Sequence, residues 1–441
     1  MTIRTVKKSS KAMSIIVFLL LYYIYMNTIR KVMIPLDGIV IPLILVMTFI
    51  IVVKRNHAKV DWPILKIREI AILWMIIGSY IFINNISLID ELIHGGMMQL
   101  YVMISFLVYV SHDENWFNTW IKWTKYYALF YAITTIVFYF NPGLYFRFIQ
   151  FMYPDIVDVL RLFYNNGWMC GICDHFSTNG MVLAAGLMIC LNELLTRKGK
   201  KNTHHKQRIV LYVIAIIILY GLILSSKRAP LIMSFFAISF TYIIASGKNV
   251  FKRIIILSVF GLILLFIYEF LLPYIPGLST IADKFQNTKD SDGGVLQGRL
   301  FLWEQAYKMI NSAPILGHGY GSYSFYTKQM DFFTTSAHNQ YLQTFAELGI
   351  IGLLLYAFAF LFAIQLTIKN LQKMVSRSNL VSPLDLLVMK NSLSYQIFVV
   401  LYSFSASTFI YYSIIIPYFL SVTASCILAR KYKIVNRISD N

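Results

Sequence analysis

The chain has 441 residues, 58% of them hydrophobic and 16% aromatic, with a mean hydropathy of +0.64. Soluble domains average about 45–50% apolar residues, so repeated apolar runs of span length point away from an ordinary soluble domain and towards a polytopic membrane protein. The formal net charge of +19 would suggest nucleic acid in a soluble protein; here the basic residues gather in alternate loops, as the positive-inside rule expects, and no nucleic-acid partner is called for.

The expected fold class is all-α, with about twelve transmembrane helices at residues 12–28, 38–54, 67–84, 92–111, 124–140, 177–195, 208–225, 229–247, 253–273, 348–368, 387–406 and 409–429. The first follows a basic segment (Arg4, Lys7, Lys8, Lys11) with no small-residue cleavage site after it, so it reads as a retained helix. Most of the 39 Lys and Arg residues fall in segments expected inside, most densely at 196–208, TRKGKKNTHHKQR. Both termini are therefore expected in the cytoplasm. The chain divides into residues 1–273 with nine spans, a long outer loop at 274–347, and residues 348–441 with three spans and a cytoplasmic tail.

Between the fifth and sixth spans an outer loop, 141–176, carries Tyr145-Phe-Arg-Phe-Ile and Val157-Asp-Val-Leu-Arg-Leu-Phe, both patterned as interfacial amphipathic helices. Cys170 and Cys173 form a lone C-x-x-C followed by Asp174 and His175. Without a second pair it reads as packing near the membrane surface rather than a zinc or redox site. His175 is placed where an outer cavity would be, with nothing nearby in sequence to strengthen it. The hairpin Ser225-Ser-Lys227-Arg228-Ala-Pro230 puts two cations outside, against the charge pattern. They either snorkel to lipid phosphates or form a functional pair facing a cavity.

The long loop is the main polar segment. Asp290-Ser-Asp-Gly-Gly reads as a flexible turn. A helix is expected from Gly298 to near Pro314, with Leu300, Trp303, Tyr307 and Ile310 on one face and Arg299 in its first turn. Unpaired helix N–H groups beside a guanidinium make an anion site; pairing with lipid headgroups is the plainer alternative. Gly317, Gly319 and Gly321 alternate with polar residues, either to let backbone approach a ligand or to make a simple turn. Thr335 or Ser336 is expected to cap a helix with His338 in its first turn, where the dipole favours the neutral imidazole that a general base needs. Exposed polar surface is the competing reading of His338. There is no H-E-x-x-H and no G-x-S-x-G, and the loop acids (Asp155, Asp158, Asp174, Asp283, Glu304, Asp331) form no pair at a telling spacing.

Arg299, Trp303, Pro314, Gly317-His-Gly319, Ala337-His-Asn-Gln-Tyr341 and Glu347-Leu-Gly349 with Gly352, in that order, resemble the motifs of the O-antigen polymerase and ligase superfamily, which includes the Wzy-type polymerases. The resemblance implies a GT-C-like glycosyltransferase of the membrane, with the loop folded over an outer cavity. Its donor would be an oligosaccharide on undecaprenyl diphosphate, with no cofactor, metal or nucleotide sugar. The negative charge that grows on the diphosphate leaving group would then be met by arginines. Residue by residue, the resemblance gives catalytic roles to Arg228, Arg299 and His338. Lys227 interrupts the family's Ser-Arg order and shares or takes the hairpin role. Gly317, Gly319, Asn339 and Tyr341 are expected at the substrate. Lipids and the lipid-linked oligosaccharide are the implied partners, with room for a chain-length regulator and a flippase beside them. A polymerase is the favoured activity. A ligase using a lipid A-core acceptor is the first alternative, and a flippase or transporter of the same lipid-linked sugar is the alternative from another class.

Overall fold

A computed structural model describes residues 12–25, 114–196, 205–245, 295–328, 336–408 and 412–439. The spans expected at 38–54, 67–84, 92–111 and 253–273 lie outside the described residues, as does the turn at Asp290. Among the described residues the structure is helical and contains no strand. The helices are α1 (Ala12–Tyr25), α2 (Trp116–Phe140), α3 (Pro142–Met152), α4 (Val157–Asn165), α5 (Phe176–Thr196), α6 (His205–Leu224), α7 (Arg228–Ile244), α8 (Val295–Ser312), α9 (Ser322–Lys328), α10 (Gln340–Ser376), α11 (Pro383–Tyr402) and α12 (Tyr412–Ser439).

Five of these, α5, α6, α10, α11 and α12, are long and apolar enough to cross a membrane, and α2 with α3 makes a sixth, bent by 118° at Pro142. The count of twelve stays an expectation. In a bilayer every backbone polar group must be satisfied within the segment, and a helix does this. The lateral faces of α6 (Ile209, Val210, Ile216) and α10 (Leu354, Phe358, Leu361) are apolar and exposed, as lipid contact requires. Helices α5 and α12 are largely buried at the centre.

Small residues bring the central helices together. Gly186 of α5 faces Ala128 of α2 with no room for a side chain, and a Cβ on Gly221 of α6 would lie 2.9 Å from the Cα of Ala132. Such close approaches let helices pack where lipid supplies no hydrophobic drive. Polar side chains knit the same bundle: Asn192 donates to Asn391 and to Ser394 Oγ, both at 2.9 Å, and the Ser394 hydroxyl donates to Thr241 Oγ1 at 2.9 Å. One end of the bundle is closed by ions. Lys431 reaches Glu114 (2.6 Å) and Asp385 (2.8 Å), and Lys125 pairs with Glu193 (2.8 Å).

The other end carries the loops. The two amphipathic helices expected in 141–176 are α3, which buries Tyr145 and Ile149, and α4, which buries Leu160. Helix α8 starts at Val295, earlier than expected, and its inward face is rotated from the expected stripe, of which Ile310 is buried and Trp303 half-buried. Leu302, Gln305, Ala306, Met309 and Ile310 are buried, whereas Leu300 and Tyr307 are exposed. The expected stripe followed one helical ridge; docking on α10 uses the neighbouring one.

Candidate active site

The hairpin between α6 and α7 is a constrained turn. Ser226 adopts a left-handed conformation (φ 51°) and donates its hydroxyl to the carbonyl of Gly167 at 2.8 Å, tying the hairpin to the loop before α5. Lys227 is extended and Arg228 opens α7. A Cβ on Gly180 of α5 would lie 3.2 Å from the Cβ of Lys227, so α5 passes directly beside the turn. The ammonium of Lys227 then lies 5.1 Å over the ring of Phe176, a cation–π contact that holds a charge in a half-buried place.

Arg299 approaches from α8. Because α8 begins at Val295, Arg299 sits in its second turn rather than the first, so the free N–H groups of that helix end are not its neighbours. Trp303, one turn on and on the same face, donates its indole N–H to the carbonyl of Ala337 at 3.0 Å. That bond anchors the turn that carries His338.

His338 is not in the first turn of α10. It precedes the cap and has a left-handed backbone (φ 50°), unusual for a residue with a side chain. Asn339 is the cap: its Oδ1 accepts from the N–H groups of Tyr341 (3.0 Å) and Leu342 (3.2 Å). Ser336 instead accepts from the N–H of His338 at 3.2 Å; Thr335 lies outside the described residues. The turn is fixed from behind as well. Gln343 accepts from the N–H of Ala337 (3.4 Å) and from Ser407 (2.8 Å), and donates to Glu347 (3.0 Å). Gln343, Ser407 and Glu347 are all buried. A strained backbone persists where its surroundings over-determine it, and such places are often functional.

The glycines shape the loop through backbone contacts. Gly317 (φ 72°) presses on the backbone of Glu347, and Gly349 (φ 63°) presses on Ile315. The N–H of Gly319 donates to Glu347 O at 2.7 Å, and that of Ile350 to Pro314 O at 2.9 Å. The Gly-rich turn is thus docked, backbone against backbone, into a break in α10. Tyr341 is likewise engaged, with its hydroxyl donating to Val400 O at 2.8 Å and its ring tilted against Phe404. Among the sequence-derived residues, Asn339, Tyr341, Gly317 and Gly319 build the platform, while Lys227, Arg228, Arg299 and His338 share one electrostatic environment.

That environment is strongly positive. Burial, then the charges of Arg299 and Arg228, push the Lys227 ammonium down to about 8. Burial lowers Arg299 as well. Burial, Arg299 and Lys227 together push the His338 imidazole down to about 4, so it is neutral at physiological pH. The effect expected from a helix dipole comes instead from burial and two cations. His175 belongs to the same group, pushed down to about 4 by burial and then by Lys227, with Asp174 opposing and His338 adding. Three cations are thus grouped with two imidazoles that are neutral at physiological pH.

Cys170 and Cys173 are buried and not joined in a disulfide, and burial pushes the Cys170 thiol up to about 12. Among the described residues no group of three His, Cys, Asp or Glu side chains is placed to hold a metal ion. Glu304 pairs with Lys308 within α8, and Asp158 with Arg161 within α4, both on exposed faces.

No curated protein matches the chain. Residues 213–357, which include Lys227, Arg228, Arg299 and His338, match the family model Wzy_C, described as O-antigen ligase, and the resemblance to the O-antigen polymerase and ligase superfamily is shown over that segment.

Proposed function

We propose that this chain is a glycosyltransferase that moves an oligosaccharide from undecaprenyl diphosphate to an incoming lipid-linked repeat unit on the outer face of the cytoplasmic membrane, lengthening a polysaccharide. The observation that carries the reading is the placing of His338, neutral and backbone-strained, within the field of Arg299 and Lys227. In the transfer, the bond between the anomeric carbon and the diphosphate oxygen breaks, and that oxygen keeps the electron pair. A bond forms between the same carbon and an acceptor hydroxyl oxygen. The hydroxyl proton passes to the neutral ring of His338, a general-base role typically worth about 10²–10⁴-fold in rate. Arg228, Arg299 and Lys227 hold the diphosphate and stabilise the charge that grows on it. These side chains meet that charge themselves, and no step needs a metal ion or nucleotide.

A ligase, passing the finished glycan to a lipid A-core type acceptor, is the second reading, favoured by the description of the family model. Both activities use the same donor and leaving group, so the acceptor alone separates them. A flippase breaks no covalent bond and has no use for a neutral base beside a diphosphate site; nothing in the site favours it.

The test is a reconstitution in lipid, with a lipid-diphosphate-linked repeat unit as sole substrate. A ladder of products that disappears in His338→Ala is expected. A single shifted product, formed only after a core-lipid acceptor is added, would replace polymerase by ligase. Translocation of the lipid-linked sugar without any change in its mass would overturn both.

A further inference from the structure

His175 lies outside the matched segment and immediately precedes α5. Its Nδ1 accepts the backbone N–H of Ser177 at 3.0 Å, as a capping side chain does. An imidazole that accepts at Nδ1 in its neutral form carries its proton on Nε2, so the tautomer is fixed. The ring is fixed too. It stacks on Phe176 (centroids 4.5 Å apart, 23°) and meets Phe163 edge-on at 5.4 Å. Phe176 is the same ring over which the Lys227 ammonium lies at 5.1 Å. One aromatic side chain therefore holds both the lysine and the histidine.

We propose that His175 is a further substrate-binding residue of this site: its Nε2–H donates a hydrogen bond to an oxygen of the lipid-linked diphosphate held by Lys227, Arg228 and Arg299. The inference rests on the diphosphate reading above and extends it to a residue the family motifs do not include. The physical reason for a histidine here is charge. Three cations already repel one another across the site, and a fourth would add to that repulsion in the absence of ligand. A neutral N–H adds a hydrogen bond to the anion without adding charge, and hydrogen bonds to charged groups are the stronger kind. Oriented donors of this type also need no rearrangement as charge builds on the leaving oxygen.

The competing role is capping alone, and the experiment separates the two. His175→Ser and His175→Asn both retain a capping oxygen for the Ser177 N–H but neither extends an N–H to the position of Nε2. Binding of undecaprenyl diphosphate without glycan is measured by calorimetry on the full chain in nanodiscs, with thermal unfolding followed in parallel. The expected result is about tenfold weaker binding in each variant, the size of one lost hydrogen bond to a charged group, measured well below each variant's own unfolding midpoint, which falls as the ring contacts with Phe176 and Phe163 are lost. Wild-type affinity in either folded variant would overturn the proposal and leave His175 a cap. Arg299→Ala, run alongside, distinguishes the failures. If it loses binding while the His175 variants do not, only this inference falls. If it too binds as the wild type does, the diphosphate site itself is wrong.

Discussion

The indole N–H of Trp303 donates to the carbonyl of Ala337 at 3.0 Å, so the loop helix that carries Arg299 is bolted to the turn that carries His338. Cation and base are thereby set at a fixed separation by a bond that neither makes. Trp303→Phe keeps the ring and deletes the bond. A loss of about 1 kcal/mol in stability is expected, with a fall in kcat clearly larger than any rise in KM for the donor. Unchanged kcat in a folded variant would show that the anchor does not position the site.

His338 sets a pH dependence. Its folded pKa of about 4 lies below the ordinary 6.5. The base form therefore survives in the free enzyme well below pH 6.5, and the acid limb of kcat/KM is expected nearer pH 4 than pH 6.5. Removing a positive neighbour relieves the neutral form: in Arg299→Gln, the His338 titration followed by NMR moves up towards 6.5. The linked stability follows the same sign. Between pH 6.5 and 4 the unfolded chain binds more protons than the folded one, so stability falls as pH drops through that window and levels off below it. An acid limb at 6.5 in the wild type contradicts the buried, cation-flanked geometry.

Lys227 titrates in the opposite range. Pushed down to about 8, it is a cation at pH 7 and loses its charge by pH 9. Affinity for undecaprenyl diphosphate should decline across that interval, whereas Lys227→Arg, charged throughout, should stay flat. Parallel curves for the two proteins would remove Lys227 from the anion site.

Gly317 and Gly349 are tested by stability rather than chemistry. Alanine at either position meets backbone atoms and must hold a positive φ. Each substitution is expected to cost about 1–3 kcal/mol in strain and to loosen the joint between the 314–321 turn and α10. Faster proteolysis within that turn, at unchanged cleavage elsewhere, is the readout. Equal proteolysis would show that the backbone docking contributes nothing.

Several of the spans among the described residues were readable because an apolar run of about 20 residues has few stable states in lipid other than a helix. Helices α5, α6, α7 and α11 begin and end close to the limits expected from hydropathy alone. The inward face of α8 was not readable. Ridges through Leu300 and Leu302 both carry apolar residues, and the partner surface on α10 selects between them. His338 was legible as a motif residue but not in its conformation, because its left-handed turn is imposed by Gln343, Ser407 and Trp303. His175 left no signal beyond its place at the start of an apolar run. What makes it notable is a ring shared with Lys227, which follows it by more than fifty positions in the chain.

The sequence by itself determined that the described residues form apolar helices, and which cations and which histidine stand out among the motif residues, because hydropathy, charge and motif order are local properties. Only the tertiary structure decided that the glycines dock backbone on backbone, that Asn339 caps while His338 is strained in front of it, and that Lys227, Arg228, Arg299, His338 and His175 share one field. Those outcomes depend on burial and on contacts between residues distant in the chain, and a pKa or a backbone strain exists only once such neighbours are in place.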